Sequence, residues 1–221
     1  MFVNVAEILP SLSESQVKNI VYDWESAYGQ AAGTRFEEKK TGAFPFSWHV
    51  STTLQPILDK YGLTVSRSEY DQLVKSWGNL IPWTNTQATL EKILAANISI
   101  AALSNGDSKT LSDAVTVFPS SVHFSHIFSS DFPAGVFKPQ HDIYDQAKLV
   151  GYDISEILHV AGGGTDASGA RDAGLFSALT SSKSFQNHLA LSAGGGVAGT
   201  TPCFTLGDIS EVTVVLGLGP L

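Results

Sequence analysis

Three polar groups in the second half of the chain have the types and spacing to do chemistry together. Ser104 and Asn105 close the apolar run Ile98–Leu103, Lys138 stands in a Lys-Pro loop with Tyr144 six residues on, and Asp166 follows the apolar run Ile157–Ala161. A turn hydroxyl and amide can bind an anionic oxygen. A lysine adds a point charge, and a carboxylate beside it fixes its position and protonation. Such a set could polarise a carbonyl or move a proton on a small organic molecule. Taken singly each has a duller reading, since Ser-Asn-Gly is a common turn and Lys-Pro a common surface loop.

To converge, these groups need a scaffold that brings strand ends together. From residue 87 the pattern alternates: a short helix around Leu90–Leu94, a strand at 98–103, a helix at 109–117 and a strand at His126–Phe128. A helix at 140–150, a strand at 157–161, a helix from about 167 and a strand at Phe176–Thr180 follow. That alternation predicts a parallel sheet with ligand groups at the carboxyl ends of its strands. The first part is built differently, for all four Trp fall within the first 83 residues. There the apolar residues recur at helical spacing (Val17, Ile20, Val21, Trp24, Tyr28; Leu54, Ile57, Leu58; Tyr70, Leu73, Val74, Trp77), with a capping box at Ser66 and Glu69. Residues 11–80 therefore read as a small helical unit, and 1–10 with 81–221 as an α/β core. Segment 192–200 reads as a loop.

Composition narrows the function. The 221 residues carry 13 Lys+Arg against 21 Asp+Glu, a net charge of -8 with no basic cluster, which argues against nucleic acid and anionic membranes as partners. No apolar run reaches the length of a membrane span, and the start lacks the basic region of a signal peptide. The single cysteine, Cys203, excludes an internal disulfide framework and a cysteine-based zinc site. The expected setting is the cytoplasm, the expected partner a small-molecule substrate, with no cofactor and no metal.

In this order the clusters resemble the motifs of the haloacid dehalogenase-like superfamily, and within it the type II 2-haloacid dehalogenases. Leu103-Ser104-Asn105-Gly106 is similar to that family's second motif, Lys138-Pro139 with Tyr144 to its third, and Val160 through Arg171 to its fourth. The resemblance covers nearly the whole chain and implies a Rossmann-like parallel sheet with a helical cap at 11–80. It implies catalytic roles for Lys138, Tyr144 and Asp166, and substrate contacts from Ser104, Asn105 and the cap. Departures accompany it. The family's nucleophilic aspartate lies in an Asp-x-x-Gly-Thr segment ahead of the cap, and no such segment precedes this cap, so the first core strand is expected to be truncated or replaced. Glu25 follows Trp24 where the dehalogenases carry a substrate-binding arginine, and Ala161 and Gly163 stand where the family has Ser and Asn.

These departures imply a repurposed enzyme acting on a small, largely apolar metabolite, as in a step of secondary metabolism, by lyase, cyclase, isomerase or non-covalent hydrolase chemistry. A non-catalytic binding protein and an ordinary dehalogenase lacking its first strand are the alternatives. A gap left by that strand must be filled by Met1–Leu9 as a strand, by direct pairing of its neighbours, or by a second protomer in a homodimer. On the repurposed-enzyme reading, Lys138→Met is expected to abolish turnover with the melting temperature nearly unchanged. Phe44, Phe46, Trp48, Trp77 and Trp83 could line an apolar pocket or merely pack cap on core. Asp23, in Ile20-Val21-Tyr22-Asp23, imitates a nucleophile at a strand end, but its neighbours fall on one helical face. All six histidines read as structural, with His49 and His141 nearest the expected site loops; His159 reads as a strand or core group.

Overall fold

The computed structural model describes residues 2–37, 45–131, 135–180 and 201–221. Phe44 and the segment 192–200 lie outside the described residues. Four helices make the first part: α1 (Phe2–Ile8), α2 (Glu14–Glu37), α3 (Phe46–Lys60) and α4 (Arg67–Lys75). Each apolar stripe read from the sequence turns inward. Val17, Ile20, Val21 and Trp24 of α2 meet Val50, Leu54, Ile57 and Leu58 of α3 and Leu73 of α4 in one core. Trp24 is wholly buried and its indole N–H donates to the Val50 carbonyl at 3.1 Å, so the polar end of the ring is satisfied. The capping box forms as expected: the Ser66 hydroxyl accepts from Glu69 N–H, and the Glu69 carboxylate accepts from Ser66 N–H.

Residues 1–10 were expected with the α/β core, and Met1–Leu9 as one source of a replacement strand. The structure differs. Phe2–Ile8 is helix α1, packed on α2 and α4, and Val5 and Leu9 are buried in the helical core. Their i, i+4 spacing is a helical stripe, and the stripe decides.

The second part is the α/β unit: α5 (Thr86–Ala95), β1 (Ala101–Leu103), α6 (Ser108–Val115), β2 (His126–Phe128), α7 (His141–Asp145), β3 (Leu158–Ala161), α8 (Gly164–Asp172), β4 (Phe176–Thr180), β5 (Phe204–Leu206) and α9 (Val212–Val215). The helix expected over 140–150 is α-helical only to Asp145 and tightens to 3₁₀ over Gln146–Val150. All strand pairs are parallel, as the alternation predicts. Among the described residues, however, the strands form two sheets, β1-β2 and β3-β4-β5. Direct pairing of β1 with β3, the second way of closing the expected gap, does not occur there. Phe137 ties the two parts together: it is buried in the helical core, 5.6 Å ring to ring from His49, and the next residue is Lys138.

Candidate functional site

Lys138, Tyr144 and Asp166 come together, as the sequence predicts. Lys138 follows Phe137 and opens a cis Lys-Pro bond, Tyr144 lies on α7, and Asp166 lies in the first turn of α8. The Lys138 ammonium donates to Asp166 Oδ2 at 2.8 Å and to the Leu103 carbonyl at 2.7 Å. It thus spans from the end of β1 in one sheet to the helix that follows β3 in the other. The side chains are 13% and 24% exposed, so solvent screens the pair only weakly. An ammonium has three protons. Two are accounted for among the described residues, by Leu103 O and Asp166 Oδ2.

The motif turn supports this lysine from below. Asn105 Oδ1 accepts from the Lys138 main-chain N–H at 2.6 Å, and its carbonyl accepts from Ser130 Oγ. Ser104 Oγ accepts from Gly106 N–H at 3.1 Å, closing the turn. Both residues are half-buried. Asn105 therefore acts on the backbone of the lysine.

Asp166 is bonded on both oxygens. Oδ1 accepts from the Tyr144 hydroxyl at 2.9 Å and meets His159 Nε2 at 2.9 Å, while Oδ2 holds Lys138. Burial works to raise its carboxyl, but the His159 contact and the Lys138 charge outweigh it and hold the group well below the ordinary carboxylate range. Asp166 is ionised, so it can only accept, and the Nε2 of His159 must carry a proton. A carboxylate engaged on both oxygens is a poor nucleophile and a good anchor.

The resemblance implies a catalytic role for Tyr144. The residue is 1% exposed and its hydroxyl meets Asp166 at both the carboxylate and the main-chain carbonyl. Burial first, and the Asp166 charge second, push the phenol far above its usual range. Its hydroxyl therefore serves to orient Asp166. Gly169 makes room for it, since a Cβ there would sit 2.7 Å from the Tyr144 oxygen and 2.9 Å from Pro139 Cβ.

Two residues outside the expected site complete the arrangement: His159, which reads from the sequence as a strand or core group, and Asp107. His159 projects from β3 onto Asp166, its ring edge-on to Tyr144 at 5.5 Å. Asp107 serves two helices: Oδ1 accepts from Thr110 N–H, capping α6, and Oδ2 accepts from Ser47 N–H at the start of α3. Burial opposes ionisation of Asp107, yet these bonds hold its carboxyl below the usual value. Pro45 at the head of α3 offers no side-chain cap, so Asp107 caps α3 from the other part of the molecule.

The remaining candidates make other contacts. Phe46 packs edge-on against Tyr28 and Trp77 in the helical core, and Trp48 is 39% exposed with its ring against His49. Glu25 lies on α2, its carboxyl raised by burial. Asp23 is in mid-helix on α2, bonded to Lys60 and to the Tyr61 hydroxyl, as the helical reading requires. A cavity of about 430 Å³ opens where Pro45, Phe46 and Ser47 face Asp107, Ser108 and Lys109, between α3 and α6. It adjoins the motif turn, and Lys138 is not in its wall. On α7, the side chains of His141, Asp142 and Asp145 come within reach of one ion, but Asp145 is already paired with Lys148.

Comparison with known proteins bears on the fold. No protein-family model matches the chain. The (S)-2-haloacid dehalogenase of Pseudomonas sp. (strain YL) is 30% identical over 111 residues, half of this chain and 47% of that enzyme, so the match spans about half the length of that relative. (S)-2-haloacid dehalogenase H-109 of Pseudomonas putida is 26% identical over 172 residues, 72% of this chain and 76% of that enzyme. Among solved structures, L-2-haloacid dehalogenase from Xanthobacter autotrophicus with chloropropionic acid covalently bound superposes with a TM-score of 0.80 at 20% identity, covering 99% of this chain and 94% of that one. The parallel α/β architecture and the matches agree: the chain has the fold of the L-2-haloacid dehalogenases and is similar in sequence, over part of its length, to (S)-2-haloacid dehalogenases.

Proposed function

We propose that the chain is an enzyme of the haloacid dehalogenase-like class that acts on a small, largely apolar organic molecule without forming an aspartyl ester. The observation that carries this reading is the Lys138 ammonium, fixed between Leu103 O and Asp166 Oδ2. Lys138 polarises a carbonyl oxygen or delivers a proton, Asp166 anchors it, and Ser104 and Asn105 shape the turn beneath. Tyr144 is a positioning residue. Glu25 in the helical unit adds no cation for a carboxylate substrate, which favours a neutral one.

A second reading has one observation in its favour. β1 and β3 belong to separate sheets, and a strand between them could carry the carboxylate nucleophile of a dehalogenase acting on 2-haloacids, the substrates in the names of the relatives. Two assays on the same protein separate the readings: hydrolysis of p-nitrophenyl acetate, and halide release from 2-chloropropionate. The proposal expects ester hydrolysis above the buffer rate, lost in Lys138→Met, with halide release at background. Halide release well above background selects the second reading. Absence of both leaves a ligand-binding protein.

A further inference from the structure

We propose that His159 is a positioning residue for Lys138, acting through Asp166, by holding the carboxylate in the plane that meets the ammonium. The inference rests on the reading of Lys138 as the working group, and it names a residue that places that group. His159 Nε2 and the Tyr144 hydroxyl both meet Oδ1 of Asp166, which leaves Oδ2 to Lys138. Two donors on one oxygen fix the plane of the carboxylate, and the edge-on Tyr144 ring fixes the imidazole. Without that lock the carboxylate could rotate about its own bond and release the lysine.

Among the described residues, Asp166 of α8 meets the His159 ring nitrogen and Tyr144 of α7 meets the ring edge-on, while β4 presents Ser177 opposite it in the strand register. Asp172, farther along α8, acts electrostatically on Tyr144. The side chain of His159 is 10% exposed, so the Asp166 contact is poorly screened. The contact holds Oδ1 in place and leaves Oδ2 to the ammonium.

Carboxyl ¹³C and lysine ¹⁵N NMR on the full chain, without substrate, test this. The wild type should give a sharp Lys138 ¹⁵Nζ signal. His159→Gln can keep a donor to Oδ1 and should keep that signal, together with the Asp166 ¹³Cγ shift. His159→Phe and His159→Leu offer no donor, so both signals should move and the lysine signal should broaden. Signals unchanged in either apolar variant, or lost equally in His159→Gln, would falsify the proposal. Because no substrate is present, this result is independent of the ester and halide assays. Failure of the catalytic reading and failure of the His159 reading are thus distinguishable.

Discussion

Replacing Lys138 with Met removes the charge and keeps most of the apolar stem, so its cost measures the bridge between the sheets. Two bonds are lost, to Asp166 Oδ2 and to the Leu103 carbonyl. Removing one partner of a fully buried pair costs about 3–5 kcal/mol. Here Asp166 keeps His159 and Tyr144 on Oδ1 and is 24% exposed, so about 2 kcal/mol is the better figure for the carboxylate. The Leu103 carbonyl adds about 1 kcal/mol. A loss of about 3 kcal/mol lowers the melting temperature of a chain this size by about 6–12 °C. That replaces the sequence-based expectation of an unchanged melting temperature, because the sequence did not reveal the bond to Leu103. Urea denaturation of Lys138→Met, Asp166→Asn and the double variant isolates the pair. A coupling energy of about 1–2 kcal/mol is expected. A coupling near zero, or a fall of less than about 2 °C in Lys138→Met, means that the bridge does not hold in solution.

Other perturbations read the same site. The depressed carboxyl of Asp166 contributes stability that is present above the unfolded carboxylate value and lost as pH falls toward its lower folded one, so wild-type stability should drop from about pH 5 downward. Urea midpoints of Asp166→Asn should show a shallower acid slope. Gly169→Ala places a methyl 2.7 Å from the Tyr144 oxygen and should cost about 1–3 kcal/mol by thermal denaturation, with an altered Tyr144 ring signal. Asp107→Ala uncaps α6 and α3 together and should cost about 2–3 kcal/mol, with faster amide exchange at Ser47 and Thr110. Exchange unchanged at Ser47 would show that Asp107 caps α6 alone.

How far the sequence speaks depends on how local the interaction is. The Ser66–Glu69 capping box spans four residues, and the strands at 126–128 and 176–180 are short local segments carrying Ile127 and Phe128, and Phe176 and Leu179, so each is legible and each forms. For residues 1–10 the order along the chain points to the α/β core, while the Val5–Leu9 spacing, the local physical signal, takes them into the helical core. Tyr144 shows a different limit. Its residue type suggests an acid, but whether a phenol can act as one depends on burial, and burial beneath Gly169 is a tertiary fact. His159 was hidden by its setting, since a histidine inside an apolar strand reads as core. The contact with Asp166, seven residues on, requires the strand, the glycine turn and the first turn of α8 to be in place.

The same distinction explains why the lysine sits where it does. In a parallel sheet each inner strand satisfies its backbone on both sides, and a strand open on one side leaves carbonyls to be paired some other way. Leu103 ends β1 on such an open side, and its carbonyl is met by a side chain, the Lys138 ammonium. On β3 the corresponding link runs through Asp166 and His159. A single cation, held by a main-chain oxygen of one sheet and by a carboxylate on the helix that follows β3, joins the sheets at their carboxyl ends. On the function proposed above, stability and chemistry share Lys138, so a substitution there alters both. That chemistry is better probed at His159, which among the described residues meets the lysine through Asp166.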